Sequence, residues 1–151
     1  MPYLKSRIID FINKYNFDFI IGSSHLVNGR DPFYSSFYQD REERLAYFEY
    51  FESIFENVKT FDQYDVYGHL DYVVRYGPNK NKYFNINDYR NVLEEILKTI
   101  INRGKGIELN TSGMLKGLGC FHPNIDILKM YKSLGGKIIT IGSDAHIPEN
   151  I

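Results

Sequence analysis

Four short apolar runs, "FDFIIGSSH", "YDVYGHLDYV", "GKGIELNTSG" and "GGKIITIGSDAH", each break into polar residues at their ends, and helix-patterned stretches separate them. This alternation constrains the chain more than any other feature. Leu4, Ile8, Ile9, Ile12 and Tyr15 recur at helical spacing and predict a helix over 3–15. A buried strand from Phe17 to about Gly22 follows, then a loop over 26–39 containing Gly, Pro and Ser. Asp40 with Glu43 three residues later resembles a helix start, continued by Leu45, Phe48, Phe51, Phe55 and Val58. After the second strand, Val92, Leu93, Ile96, Leu97 and Ile100 predict a helix over 88–102. Pro123 and Asn124 open a shorter helix carrying Ile127, Leu128, Tyr131 and Leu134, closed by Gly135 and Gly136. The order αβαβαβαβ, with short continuous apolar strands, predicts a parallel sheet covered by helices. It fits either a barrel or an open doubly wound sheet.

In parallel α/β folds the carboxyl ends of the strands share one face, and sites are built there. The first strand ends in Ser23, Ser24 and His25, and the second in His69 and Asp71. Glu108 and Asn110 lie with the third, and Asp144 and His146 follow the fourth, two residues apart, so that both can point the same way. Three of the four histidines fall at these ends. Each residue alone has an ordinary reading. A strand-end histidine can be a hydrogen-bonding residue, and Asp144 can cap a helix. Glu108 can pair with a lysine on a helix, and His122, beside Pro123, reads as a helix-start or surface residue. Taken together, His25, His69, Asp144 and His146 supply the nitrogen and oxygen donors usual for zinc, iron and manganese, a set that suits metal-assisted hydrolysis.

Other chemistries fit less well. Cys120 lies in a glycine-rich loop away from the strand ends, "GMLKGLG" lacks the Gly-Lys-Ser/Thr ending of a phosphate-binding loop, and Ser23 and Ser24 sit in no Gly-x-Ser-x-Gly elbow. A formal net charge of −1 without a basic block disfavours a nucleic-acid partner. One cysteine excludes an intrachain disulfide and fits a reducing compartment. No apolar run approaches the roughly 18–20 residues of a membrane span, and no signal-peptide pattern opens the chain, so a cytoplasmic protein without a membrane partner is expected.

In this order and at these separations, "IIGSSHLVNGRDPFY", "DVYGHLDYVVRYGP", "GIELNTSG" and "ITIGSDAH" resemble the later motifs of the PHP (polymerase and histidinol phosphatase) superfamily, most closely its histidinol-phosphatase branch. The resemblance implies a distorted, TIM-like (β/α)7 barrel holding up to three divalent metals (Zn, Fe or Mn) at the carboxyl ends of its strands. It implies that His25 and His69 ligate one metal, Asp144 another and His146 a third. Arg75 is the residue expected to grip a substrate phosphate, since a guanidinium pairs bidentately with phosphate oxygens; its ordinary alternative is a surface salt bridge. Asn110 is expected to orient a water or the phosphate. The implied reaction is hydrolysis of L-histidinol phosphate to L-histidinol and phosphate, a late step of histidine biosynthesis, with Asp144 carrying a proton to the leaving alcohol as well as ligating.

The family pattern begins with a strand bearing His-x-His and continues to a metal-bridging glutamate before the segment matching "SSH". No histidine precedes His25 here, the chain opens on a helix, and it stops at "SDAHIPENI". Residues 1–151 are therefore read as an internal piece of a PHP domain, about four of seven βα units, lacking the His-x-His segment and the C-terminal helix and strands. Such a piece exposes two sheet edges and lacks metal ligands. Alone it is expected to be poorly soluble or dependent on another chain for the missing segments, with little phosphatase activity. The rival readings are another PHP phosphoesterase or nuclease, a non-catalytic PHP remnant, and an unrelated α/β protein.

Overall fold

The computed structural model describes residues 4–150. Its elements are α1 (Lys5–Lys14), β1 (Ile21–Gly22), α2 (Glu43–Thr60), β2 (Val66–Tyr67), α3 (Tyr72–Tyr76), α4 (Arg90–Asn102), β3 (Gly106–Asn110), α5 (Ser112–Leu115), α6 (Ile125–Ser133) and β4 (Ile139–Gly142). The predicted start of the first helix, Tyr3, lies outside the described residues.

The four strands are all parallel and stand in sequence order, β1-β2-β3-β4. A doubly wound sheet reverses its strand order at a switch point, and this sheet does not. The connecting helices pack in one row, α2 against α4 and α4 against α6. Sequential parallel strands with a single helical layer form a segment of barrel wall. The core lies between that layer and the strands, where Tyr50, Phe51 and Ile54 of α2, Leu93, Ile96, Leu97 and Ile100 of α4, Ile127 and Tyr131 of α6, and Ile107 of β3 are all buried. Full burial of such side chains stabilises by about 1.5–3 kcal/mol each.

Several boundaries differ from the sequence expectation, each for a local reason. The first strand pairs only at Ile21–Gly22 because its partner is equally short; the Asp65 carboxylate takes the Ile20 N–H (2.8 Å) at the ladder's start. Asp40 does not cap α2. It adopts φ 57°, the chain turns there, and Glu42 takes the cap position without a side-chain hydrogen bond. Glu43 instead accepts from Tyr47 Oη (2.9 Å) and from the backbone N–H of Asn79 (2.9 Å), tying α2 to the loop after α3. The second strand ends at Tyr67; His69 follows at φ 24°, and "YVVRY" winds into α3. That turn carries Arg75 back toward the strand ends. Asn124 does open α6 as expected, its side chain accepting from Asp126 N (2.9 Å).

The outer strands are bare by comparison. Ile21 of β1 is 50% exposed and Ile141 of β4 76%, whereas Val66 of β2 and Ile107 of β3 are wholly buried. Among the described residues no helix is long and apolar enough to cross a membrane.

Candidate functional site

The carboxyl ends of β2 and β3 carry a continuous network of buried polar side chains. Alternation along β3 puts Glu108 and Asn110 on one face. The Glu108 carboxylate lies between Gly68 and Gly142: a Cβ on Gly68 would stand 3.2 Å from Glu108 Oε2, and one on Gly142 would collide with Oε1. Glycine at both places makes room for a carboxylate across three strands. Glu108 Oε2 accepts from the His69 backbone N–H (3.0 Å) and from Asn110 Nδ2 (3.1 Å). Asn110 Oδ1 in turn accepts from Ser112 N (3.0 Å) and from the Ser112 hydroxyl, which accepts from Arg75 Nη2 (2.6 Å). Arg75 also donates through Nη1 to Asp144 Oδ2 (3.0 Å) and through Nε to His122 Nε2 (3.3 Å). The His122 Nδ1 is 2.6 Å from Asp71 Oδ1, and Asp71 Oδ2 accepts from Asn124 N (2.8 Å).

The expected site residues all stand at this end of the sheet, but not as one cluster. His25 and His69 form one pair, their rings 5.0 Å apart, with Tyr72 5.0 Å from the His25 ring. Asp144 and His146 form another, Nε2 to Oδ1 3.9 Å, and His146 is largely exposed. Arg75 is buried rather than in a surface salt bridge. Asn110 is buried too, its amide oxygen and nitrogen both engaged inside the network.

Burial, with the His25 and Arg75 charges adding, lowers the His69 pKa to about 4, so its imidazole is neutral at physiological pH. Burial opposes ionisation of Asp144, but the Arg75 hydrogen bond and charge outweigh it and hold the carboxyl below its usual range. Both His69 (φ 24°) and Asp144 (φ 53°) have left-handed backbones, which non-glycine residues adopt at some cost and which cluster at functional sites.

Two expectations are corrected here. His122 is not a surface residue: the loop after α5 folds back so that His122 and Asn110 exchange backbone hydrogen bonds (2.9 and 2.6 Å), and the ring is buried. Glu108 pairs with no lysine; it braces the backbone of His69. Asp71 and Ser112, given no role from sequence, complete the network. The period-2 spacing of Glu108 and Asn110 was the available signal for Glu108. None existed for His122, whose place depends on the fold of a loop. Cys120 is half-buried in that loop, where burial raises its thiol pKa.

A family model described as the PHP domain matches residues 5–112. The chain belongs to the PHP family. Its PHP relatives include the histidinol-phosphatase of Lactococcus lactis subsp. lactis, 36% identical over 95% of this chain and 53% of the relative. A Clostridium acetobutylicum protein named "Probable histidinol-phosphatase" is 33% identical over 92% of this chain and 54% of its own length. The crystal structure of L. lactis histidinol phosphate phosphatase, complexed with zinc, L-histidinol and phosphate, superposes with a TM-score of 0.83 at 34% identity, over 96% of this chain and 55% of that one. A structure from Listeria monocytogenes (TM-score 0.80, 20% identity) shares the fold. The four-stranded sheet is thus part of a TIM-like PHP barrel, and the chain spans about half the length of the curated relatives it matches.

The donors present suit a divalent metal in kind. His69 Nδ1 is buried with no hydrogen-bond partner among the described residues, and its ring lies beside His25. In number they fall short: among the described residues no three His, Cys, Asp or Glu side chains stand close enough together to hold an ion.

Proposed function

We propose that the chain is part of a metal-dependent phosphomonoester hydrolase of histidinol-phosphatase type, which converts L-histidinol phosphate and water to L-histidinol and phosphate in the cytoplasm, in histidine biosynthesis. Residues 1–151 are one portion of its PHP domain; the remaining barrel segments, among them further metal ligands, come from outside these residues, from another chain or from a longer polypeptide. The small phosphorylated substrate is its partner, not nucleic acid or a membrane. The observation that carries this reading is the partnerless His69 Nδ1 at the same mouth as the buried Arg75 fork. It is supported by relatives that bear the histidinol-phosphatase name.

In this reading His25 and His69 hold one zinc, iron or manganese ion, and Asp144 and His146 hold others. Such ions supply an activated water and neutralise phosphoryl oxygens. The chain's own residues do the rest. Arg75 grips the phosphoryl group, and Asn110, fixed by Glu108 and Ser112, orients it or a water. Asp144, kept ionised by Arg75, carries the proton that the attacking water loses to the leaving alkoxide as the P–O ester bond breaks.

Titrating the purified chain with Zn²⁺ or Mn²⁺ tests the metal reading directly. A His69→Ala variant is expected to bind at least about tenfold more weakly than the parent chain, and equal affinity overturns the assignment of His69. Phosphate release by the isolated chain is expected to be slight; robust release from histidinol phosphate contradicts the need for outside segments. Greater activity on nucleotide phosphodiesters than on histidinol phosphate moves the assignment to a nuclease-type PHP enzyme. That no three donors stand together among the described residues favours a second reading, a non-catalytic remnant, which would purify and titrate without stoichiometric metal.

A further inference from the structure

Arg75 carries the phosphate reading, yet a guanidinium on a buried five-residue helical turn has to be aimed. Its Nη2 and Nη1 engage Ser112 and Asp144, and its ring neighbours Tyr72 and Tyr76 lie 5.6 and 5.8 Å from its centre. The inner edge of the fork, Nε, meets a different partner: the buried His122. An arginine Nε–H only donates, so His122 Nε2 must present its lone pair. The ring proton then sits on Nδ1 and is donated to Asp71 Oδ1 at 2.6 Å. Asp71 is itself fixed, because its second oxygen accepts from Asn124 N at the start of α6. The His122 backbone is fixed as well, bridged to Asn110 at the end of β3.

We propose that His122, held in its Nδ1–H tautomer by Asp71, is the positioning residue of Arg75, turning the Nη edge of the guanidinium toward a phosphoryl group at the strand-end mouth. The inference rests on the reading that Arg75 grips phosphate, and adds what sets its aim. The chemistry is directional. A carboxylate accepts from Nδ1, which leaves Nε2 an acceptor, and that acceptor takes the arginine's single Nε–H, so that one N–H on each Nη remains beyond those given to Asp144 and Ser112. The side chain in this place has to be uncharged and able to accept at a fixed distance from α6. A lysine or a second carboxylate there would either repel the guanidinium or draw it inward. Ser112 and Asp144 then limit its remaining rotation from the other side.

The test uses the 151-residue chain and inorganic phosphate. In ¹⁵N spectra of the parent chain, His122 is expected to show a pyrrole-like Nδ1 and a pyridine-like Nε2, and the Arg75 Nε–H resonance is expected to move when phosphate is added. A His122 protonated at Nε2 alone overturns the proposal without any variant. Asp71→Asn places an amide where His122 or Asn124 needs an acceptor. It is expected to disturb the tautomer and weaken phosphate binding by roughly tenfold, the size typical of a lost outer-shell positioning contact. Arg75→Lys, which loses the fork, is expected to weaken it at least as much. If Arg75→Lys leaves phosphate affinity unchanged, or the parent chain shows no phosphate response, the phosphate reading of Arg75 fails and this inference with it. If Arg75→Lys weakens binding but a folded Asp71→Asn chain does not, the phosphate reading stands and the positioning role of His122 is overturned.

Discussion

His69 and His146 follow β2 and β4 of the same parallel sheet and belong to the same donor set, but the chain treats them differently. His69, after β2, is buried, its backbone N–H held by Glu108 and its ring packed near His25 and Tyr72. His146, after β4, has a side chain 89% exposed, with the Asp144 carboxylate 3.9 Å away. The same contrast runs through both pairs of strands. The inner strands, β2 and β3, end in Asp71, Arg75, Glu108, Asn110, Ser112 and His122, all buried and hydrogen-bonded to one another. The outer strands, β1 and β4, are followed by His25, Asp144 and His146, all exposed, and carry exposed isoleucines. A strand flanked on both sides supplies its site residues with supporting partners from its neighbours. A strand flanked on one side leaves its residues more exposed, and what support Asp144 has comes from Arg75, a residue that follows β2. Preorganisation in this site therefore belongs to the inner strands.

The largest expected effect lies in the inner network. Asp71→Ala leaves the buried His122 Nδ1–H and the Asn124 N–H without their acceptor, and is expected to cost about 3 kcal/mol of unfolding free energy. His146→Ala, at the outer strand, is expected to cost no more than about 0.5 kcal/mol. Urea unfolding of the two variants beside the parent chain measures both. Equal losses would break the distinction between inner and outer strands.

The next effect is a pH dependence centred on His69. Burial lowers its pKa from 6.5 to about 4 in the folded chain, so the unfolded chain binds the extra proton first as pH falls. Its contribution is therefore unchanged above about pH 6.5, erodes as pH drops toward 4, and levels off below that. The loss of folding free energy between pH 7 and pH 5 is expected to be of the order of 1–2 kcal/mol, and His69→Gln is expected to remove it. A His69→Gln chain that keeps the full pH 7 to pH 5 difference would assign the dependence to other groups and remove the evidence that His69 is held neutral.

How much of this was legible in the sequence follows the same division. The strands, the parallel arrangement and the polar residues at their ends could be read from apolar runs and their breaks, because both are local patterns. The choice between a barrel and a doubly wound sheet could not be made from periodicity, because strand order is set by which helix packs on which. Of the site, His25, His69, Asp144 and His146 could be placed at strand ends. Asn110 and Arg75 could be named but not described: whether Arg75 is a surface ion or a buried fork depends on α3, and the second-strand run "YDVYGHLDYV" ends at Val73, inside that helix, with no local signal for the helix itself. His122 was misplaced for a related reason. Its burial comes from a loop folding back onto Asn110, which brings His122 to Arg75, forty-seven residues earlier, and no short-range pattern records a contact of that kind. Glu108 sits between, since its spacing from Asn110 was visible while the two glycines that make room for it were separated from it in sequence.

The smallest expected effect concerns β4. The register opposes Glu108 to Thr140 and Leu109 to Ile141, so Thr140 shares the Glu108 face and Ile141 points the other way. Ile107, on that same outward side two residues earlier along β3, is wholly buried beneath the helical layer, whereas Ile141 is 76% exposed. An isoleucine that already faces water gains little from folding, so replacing it removes little. Ile141→Thr keeps the β-branched shape that suits a strand and is expected to change unfolding free energy by no more than about 0.5 kcal/mol. Ile107→Thr, which puts a hydroxyl into a packed core, is expected to cost several times more. The pair of variants separates two explanations of why β4 is bare. If Ile141→Thr proves as neutral as expected in the 151-residue chain but costs more than about 1 kcal/mol when the remaining PHP segments are supplied, the outer face of β4 is a surface that those segments cover. If it costs that much in the 151-residue chain alone, Ile141 is already covered there, and the difference between inner and outer strands is smaller than the exposures indicate.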